Sequence, residues 1–119
     1  MLVEFRVENF RSLREEQVLS LVASKDKTLQ DTHTVNTGLK AAPSVLRSAA
    51  IYGANASGKS NLIKALQYMR GVVAESATVI QPGQSFAVQP FRLDAQSAKE
   101  PTAFEVTFIV DGVRYQYGF

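Results

Sequence analysis

The first ten residues, MLVEFRVENF, alternate apolar and charged positions, with Val3, Phe5 and Val7 set against Glu4, Arg6 and Glu8. A period of two predicts a half-buried β-strand whose three apolar side chains share the inner face. QVLSLVAS repeats the pattern more weakly, with Leu19 and Leu21 on one face, and predicts a second strand. The intervening NFRSLREE is short enough to join antiparallel neighbours. Residues 24–44 (SKDKTLQDTHTVNTGLKAAPS) are polar and turn-rich. A structureless connection of that length is uncommon inside a domain, so it reads as a functional or mobile loop, or a small insertion with a hairpin around THTV. SAAIY, residues 48–52, is a run of small and β-branched residues that predicts a short, buried central strand. Beyond it Leu62, Ile63, Leu66, Met69 and Val73 trace one face of a helix, leaving Asn61, Lys64 and Arg70 outside. Gly71 weakens its last turn. Residues 78–94 (TVIQPGQSFAVQPFRLD) read as extended and turn-punctuated, with Pro90 pointing to an edge strand or irregular segment.

The C-terminal stretch, residues 102–119, reads as a β-hairpin: TAFEVTFIV, then DG, then VRYQYGF. With Asp111 and Gly112 as a two-residue loop, Val110 faces Val113, Phe108 faces Tyr115, Val106 faces Tyr117 and Phe104 faces Phe119. All eight share one face. Thr107 then meets Gln116, and Ile109 meets Arg114, on the other. A one-residue slip would scramble both faces, so the register is well specified.

Composition narrows the chemistry. With 119 residues the chain amounts to at most one domain, and 45% hydrophobic with 20% charged residues is ordinary for a globular protein. A net charge of +2 is too small to argue for nucleic acid by itself. No cysteine is present, which excludes disulfides, thiolate catalysis and Cys-ligated zinc. The sole histidine, His33, has no second ligand at metal spacing and reads as a solvated loop residue. Glu4, Arg6 and Glu8 interrupt any secretory apolar region, and no run approaches the ~18 residues of a membrane span. The expectation is a soluble, cytoplasmic protein with no membrane partner.

One segment carries specific chemistry. Gly53, Ala54, Asn55, Ala56, Ser57, Gly58, Lys59 and Ser60 fit G-x-x-x-x-G-K-[ST]. Glycines let the backbone curl so that successive N–H groups point inward, forming a nest for phosphate oxygens. The helix starting there adds unpaired donors and the positive end of its dipole. Lys59 then supplies an ammonium to the β- and γ-phosphates, and Ser60 a hydroxyl to Mg²⁺. ATP and Mg²⁺ are the expected cofactors.

GANASGKSNLIKAL, preceded by VEFRVENFRSL, resembles the opening of the ABC-type head domains of the SMC/RecF group. Within that group it is most similar to AAA-family ATP-binding proteins of bacterial abortive-infection and RloA-like defence systems. There NFRS ends the first strand, IYGANASGKSN is the Walker A, and a PFRLD … FEV.F..DG..Y.YGF segment follows. The resemblance spans essentially the whole chain. It places Asn55, Ser57, Gly58, Lys59, Ser60 and Asn61 on the phosphate loop and its continuation, and Arg11 near the nucleotide. It implies an α/β fold: the N-terminal lobe of a P-loop NTPase, with antiparallel strands, one P-loop strand–helix unit and an incomplete sheet. Residues 1–119 would be the N-terminal part of a single ATPase domain. Such proteins run to several hundred residues, and their Walker B and signature segments, which come late, have no counterpart here.

VTFIVD superficially imitates a Walker B strand ending in Asp111, but Gly112 and the hairpin register make it a turn. Asp26, Asp31 and Asp94 have no apolar strand leading into them, so no convincing general base for water is present. Three functions fit. The first is the N-terminal lobe of an ATPase coupled to nucleic-acid sensing or an effector nuclease, in phage defence or DNA transactions. The second is a binding fragment that holds nucleotide without turnover. The third is a degenerate module that pairs with another chain. The absent motifs speak against unaided catalysis, and the intact Lys59 and Ser60 speak against degeneration. Unpaired sheet edges favour self-association or pairing with a C-terminal ATPase lobe.

Overall fold

A computed structural model describes residues 1–76, 83–84 and 87–119. The alternating N-terminus forms β1 (Leu2–Glu8), and Val3, Phe5 and Val7 are all buried. β1 pairs antiparallel with β2 (Gln17–Ser20) on one edge and with β5 (Ala103–Val110) on the other. β6 (Val113–Gly118) completes a four-stranded sheet in the order β2-β1-β5-β6. Phe5 sits opposite Val106 and Val7 opposite Phe104, which stacks apolar pairs on one face. A register shift between Leu2 and Glu4 leaves Val3 as an extra residue. Val3 packs with Ile109, Ala42 and Val45 in a second, smaller cluster.

A strand pair begins within residues 24–44 and runs past their end, with THTV at its start and not at its turn. A short helix α1 (Gln30–His33) leads into β3 (Thr34–Asn36), which pairs with β4 (Ser44–Leu46). The second strand is longer in function than β2 alone. After Ser20 the chain crosses to β4, with Val22 bridging Val45 and the Leu46 amide donating to the Leu21 carbonyl at 2.7 Å. The insertion is thereby anchored at the end of the main sheet.

Helix α2 (Lys59–Glu75) lies over the sheet and buries Ala65, Met69 and Val72, with Leu62, Leu66 and Tyr68 at the margin. Here the sequence reading needs correction. Ile63 and Val73, expected on the inner face, are 46% and 49% exposed. Ala65 is fully buried in the same cluster as Phe10 and Phe104. Ala65, Met69 and Val72, at spacings of four and three, trace the buried stripe, and that stripe leaves Ile63 and Val73 outside it. Phe10 meets Phe104 edge-on at 5.5 Å, and Tyr68 stacks on Phe104 at 5.4 Å.

The expected central strand at residues 48–52 is absent. The segment has no regular secondary structure, and Tyr52 is 90% exposed. A strand persists only when neighbours satisfy its backbone groups. Among the described residues β1 already has both edges filled, and no backbone hydrogen bond joins residues 48–52 to any strand. The strand–helix unit implied by the resemblance is therefore an exposed segment followed by a helix. Of residues 78–94, only 83–84 and 87–94 fall within the described chain. Pro90 lies in an irregular stretch there, as expected.

The terminal hairpin has the register expected of it: Val110 pairs with Val113, Phe108 with Tyr115, Val106 with Tyr117, Thr107 with Gln116 and Ile109 with Arg114. Phe104 and Phe119 exchange backbone hydrogen bonds of 2.9 and 3.0 Å. Its apolar face is only partly covered, since Val110, Val113, Tyr115 and Tyr117 are each near half exposed. Asp111 (φ 50°) and Gly112 (φ 75°) are both left-handed, which defines a type I′ turn. A Cβ on Gly112 would meet open space, so Gly112→Val is opposed by backbone conformation alone. That costs about 1–2 kcal/mol. A melting temperature several degrees lower is expected, and an unchanged melt would refute the turn assignment.

Candidate functional site

The glycine segment closes directly onto the start of α2. Ala56 (φ 64°) and Gly58 (φ 96°) are both left-handed, bending the chain just before the first helical residue, Lys59. The first bond across this junction runs from the Leu62 amide to the Gly58 carbonyl at 3.0 Å. The amides of Lys59, Ser60 and Asn61 therefore have no acceptor within the helix. Together with the helix dipole they make a positive-leaning concavity. Ser12 and residues 55–61 line a cavity of about 310 Å³ there, and no carboxylate is among its lining residues.

A side chain at either glycine of the loop would crowd a neighbouring side chain. A Cβ on Gly53 would lie 2.6 Å from Ser57 Oγ, and one on Gly58 would lie 2.9 Å from Leu13 Cδ2. The Lys59 ammonium folds back along the loop, donating to the Gly53 carbonyl, to the Ala54 carbonyl at 2.6 Å and to Ser57 Oγ at 3.3 Å. Asn55, Ala56, Ser57, Gly58, Lys59, Ser60 and Asn61 thus converge on one cavity, as their spacing implies. Gly53 lies behind it, in an adjoining hollow with Leu13, Ile51 and Tyr52.

Arg11 is not part of that cavity. Its guanidinium lies 5.6 Å from the Phe10 ring centre, and it lines a separate hollow of about 240 Å³ with Gln89, Phe91 and Arg92. Ser12 borders both spaces.

Sequence reasoning missed three residues of the β1–β2 connection. Ser12 Oγ accepts from Asn61 Nδ2 at 2.6 Å. Leu13, buried in the main core, sets the distance to Gly58. Asn9, 3% exposed, is the clasp. Its Nδ2 donates to the carbonyls of Ser97 and Glu100, both at 2.8 Å, and its Oδ1 accepts from the Phe91 amide at 3.0 Å. These partners lie more than 80 residues away in sequence, so no local pattern announces them.

None of the carboxylates set aside earlier, Asp26, Asp31, Asp94 and Asp111, lines the cavity. Asp94 accepts from the Ser97 hydroxyl at 2.6 Å and the Ser97 amide at 2.9 Å, which hold its carboxyl below the usual range, with Arg14 adding to the effect. Asp26 accepts from the Thr28 amide, which lowers it likewise. Asp111 sits in the hairpin turn. His33 Nδ1 pairs with Thr32 Oγ1 at 2.7 Å on the surface. Among the described residues no group of three His, Asp or Glu is placed to hold a metal, and no helix is long and apolar enough to cross a membrane.

Residues 48–119, more than half the chain, match the family model described as "AAA domain, putative AbiEii toxin, Type IV TA system". The chain belongs to this AAA family. Comparison with curated proteins and with solved structures gives no match. Membership of the AAA family implies nucleotide binding, usually with Mg²⁺, and the small α/β fold is compatible with part of a P-loop NTPase. The loop fits that ligand: it combines a backbone closed to side chains, free amides, an ammonium and no opposing negative charge.

Proposed function

We propose that this chain is the nucleotide-gripping lobe of an ATP-hydrolysing head, binding Mg-ATP through residues 53–61. The observation that carries the reading is the left-handed Gly58 at the mouth of α2, where three amides without intrahelical acceptors belong to residues that line a cavity without carboxylates. Those amides donate to the β- and γ-phosphate oxygens. Lys59, already placed among loop carbonyls, turns its ammonium to the phosphates. Ser60 offers its hydroxyl to Mg²⁺, which neutralises phosphate charge when bound. Arg11 stands next to the cavity, one residue from its wall, and the SMC/RecF resemblance supports a role for it toward the nucleotide.

The same resemblance supports a cytoplasmic role in phage defence or DNA transactions, as does the toxin named in the family's description. Exposed residues 48–52 and the outer edge of β6, which pairs with no other strand among the described residues, favour a partner that completes the sheet, either a C-terminal ATPase lobe or a second copy. Nucleic acid or an effector nuclease would then act on the completed head. A second reading, nucleotide binding without hydrolysis, is favoured by the lack of any carboxylate in the cavity wall. Calorimetric titration with Mg-ATP tests the shared core of both readings. Saturable binding is expected, and none with adenosine, which has no phosphate for the loop to hold.

A further inference from the structure

The wall of the phosphate cavity facing the loop is built by the tip of a tight turn. Phe10 and Leu13 exchange backbone hydrogen bonds of 2.8 Å in each direction, and the Asn9 amide donates to the Arg14 carbonyl at 3.1 Å. Phe10 and Leu13 are both buried in the main core, so the turn is fixed at its base. Ser12 sits at its tip, exposed and lining the cavity beside residues 55–61. Its Oγ accepts a hydrogen bond from Asn61 Nδ2 at 2.6 Å. An amide nitrogen can only donate, so this bond occupies an acceptor position and leaves the serine proton to seek its own acceptor. The cavity it lines also holds the start of α2, the Lys59 side chain and the amide and hydroxyl groups of Asn55, Ser57 and Ser60, with no carboxylate among its lining residues. A phosphate oxygen entering this space would give the serine proton an acceptor.

We propose that Ser12 donates its hydroxyl proton to a phosphate oxygen of a bound nucleoside di- or triphosphate, with Asn61 holding it in the donating orientation. The inference rests on the phosphate-loop reading above and adds to it a contact from outside the motif. Because the turn is anchored in the core, the hydroxyl reaches its place with little ordering cost. Asn61, the residue after the motif, then orients a donor on the opposite wall.

The test is calorimetry with Mg-ADP and Mg-ATP on the whole chain. Loss of one hydrogen bond to a charged group should weaken both nucleotides about tenfold or more in Ser12→Ala. Ser12→Thr, which keeps the hydroxyl, should bind within a few-fold of wild type. Asn61→Asp should weaken binding more than Asn61→Ala, because its carboxylate takes the serine proton and faces the phosphates. Melting of the nucleotide-free Ser12→Ala protein should match wild type, which separates a ligand contact from a purely structural one. Equal affinity of Ser12→Ala and wild type would overturn the inference while leaving the loop reading intact. Failure of the wild-type protein to bind either nucleotide would overturn both.

Discussion

Gly58→Val should abolish nucleotide binding and lower thermal stability at once. Two independent costs meet at this position. Its φ of 96° lies outside the wells open to a β-branched residue, which costs about 1–2 kcal/mol. Its Cβ would also lie 2.9 Å from Leu13 Cδ2, and Leu13 is only 8% exposed within the main core. Overpacking of that kind adds roughly 1–3 kcal/mol. Relief requires lifting the loop from the β1–β2 turn, and that movement opens the cavity between Ser12 and residues 55–61. Gly112→Val pays only the conformational part, so it should fall short of Gly58→Val in a melt while leaving nucleotide affinity unchanged. A Gly58→Val protein that binds Mg-ATP normally would show that loop closure against Leu13 is not needed for the site.

The second large effect concerns turnover. Hydrolysis needs a gripped γ-phosphate, a placed metal and an oriented water. Gly58 and Lys59 serve the first requirement and Ser60 half the second. For the third, the cavity wall offers no carboxylate, Asp94 and Asp26 accept local hydrogen bonds, and Asp111 lies in the hairpin turn outside the cavity lining. Missing positioning and electrostatic stabilisation are worth several kcal/mol of barrier, hence orders of magnitude in rate. The isolated chain is expected to release phosphate at the background rate. Supplying a C-terminal ATPase lobe, in cis or in trans, should raise the rate by orders of magnitude. Phosphate release with Lys59→Ala as the contamination control measures this. Lys59-dependent turnover by the chain alone would contradict it.

The parts of the molecule legible in its sequence are those fixed by local pattern. The period-two alternation of Val3, Phe5 and Val7 gave β1, and the Asp111–Gly112 turn set every pair of the terminal hairpin. The bend at Gly58 into the start of α2 was legible for a similar reason, because it is set within a few residues. The failures are non-local. Whether residues 48–52 form a strand depends on neighbours that their own composition does not encode. Ala65 belongs to the buried stripe of α2 with Met69 and Val72, and a count of large apolar residues overlooks an alanine. Asn9 and Ser12 looked like ordinary connector residues, and their roles exist only once partners 49 to 91 residues away are in place.

The central claim is that residues 53–61 hold a nucleotide by its phosphates, and calorimetric titration of Mg-ATP into wild type and Lys59→Ala tests it most directly. Lys59 contacts only loop carbonyls and Ser57, with no place in the core, so its loss should leave the fold and melting temperature essentially unchanged. The expected result is saturable binding by the wild type and a loss of at least two orders of magnitude in the variant, since an ammonium offsetting phosphate charge is removed. Equal affinity in the two proteins, or no binding by either, would contradict the account.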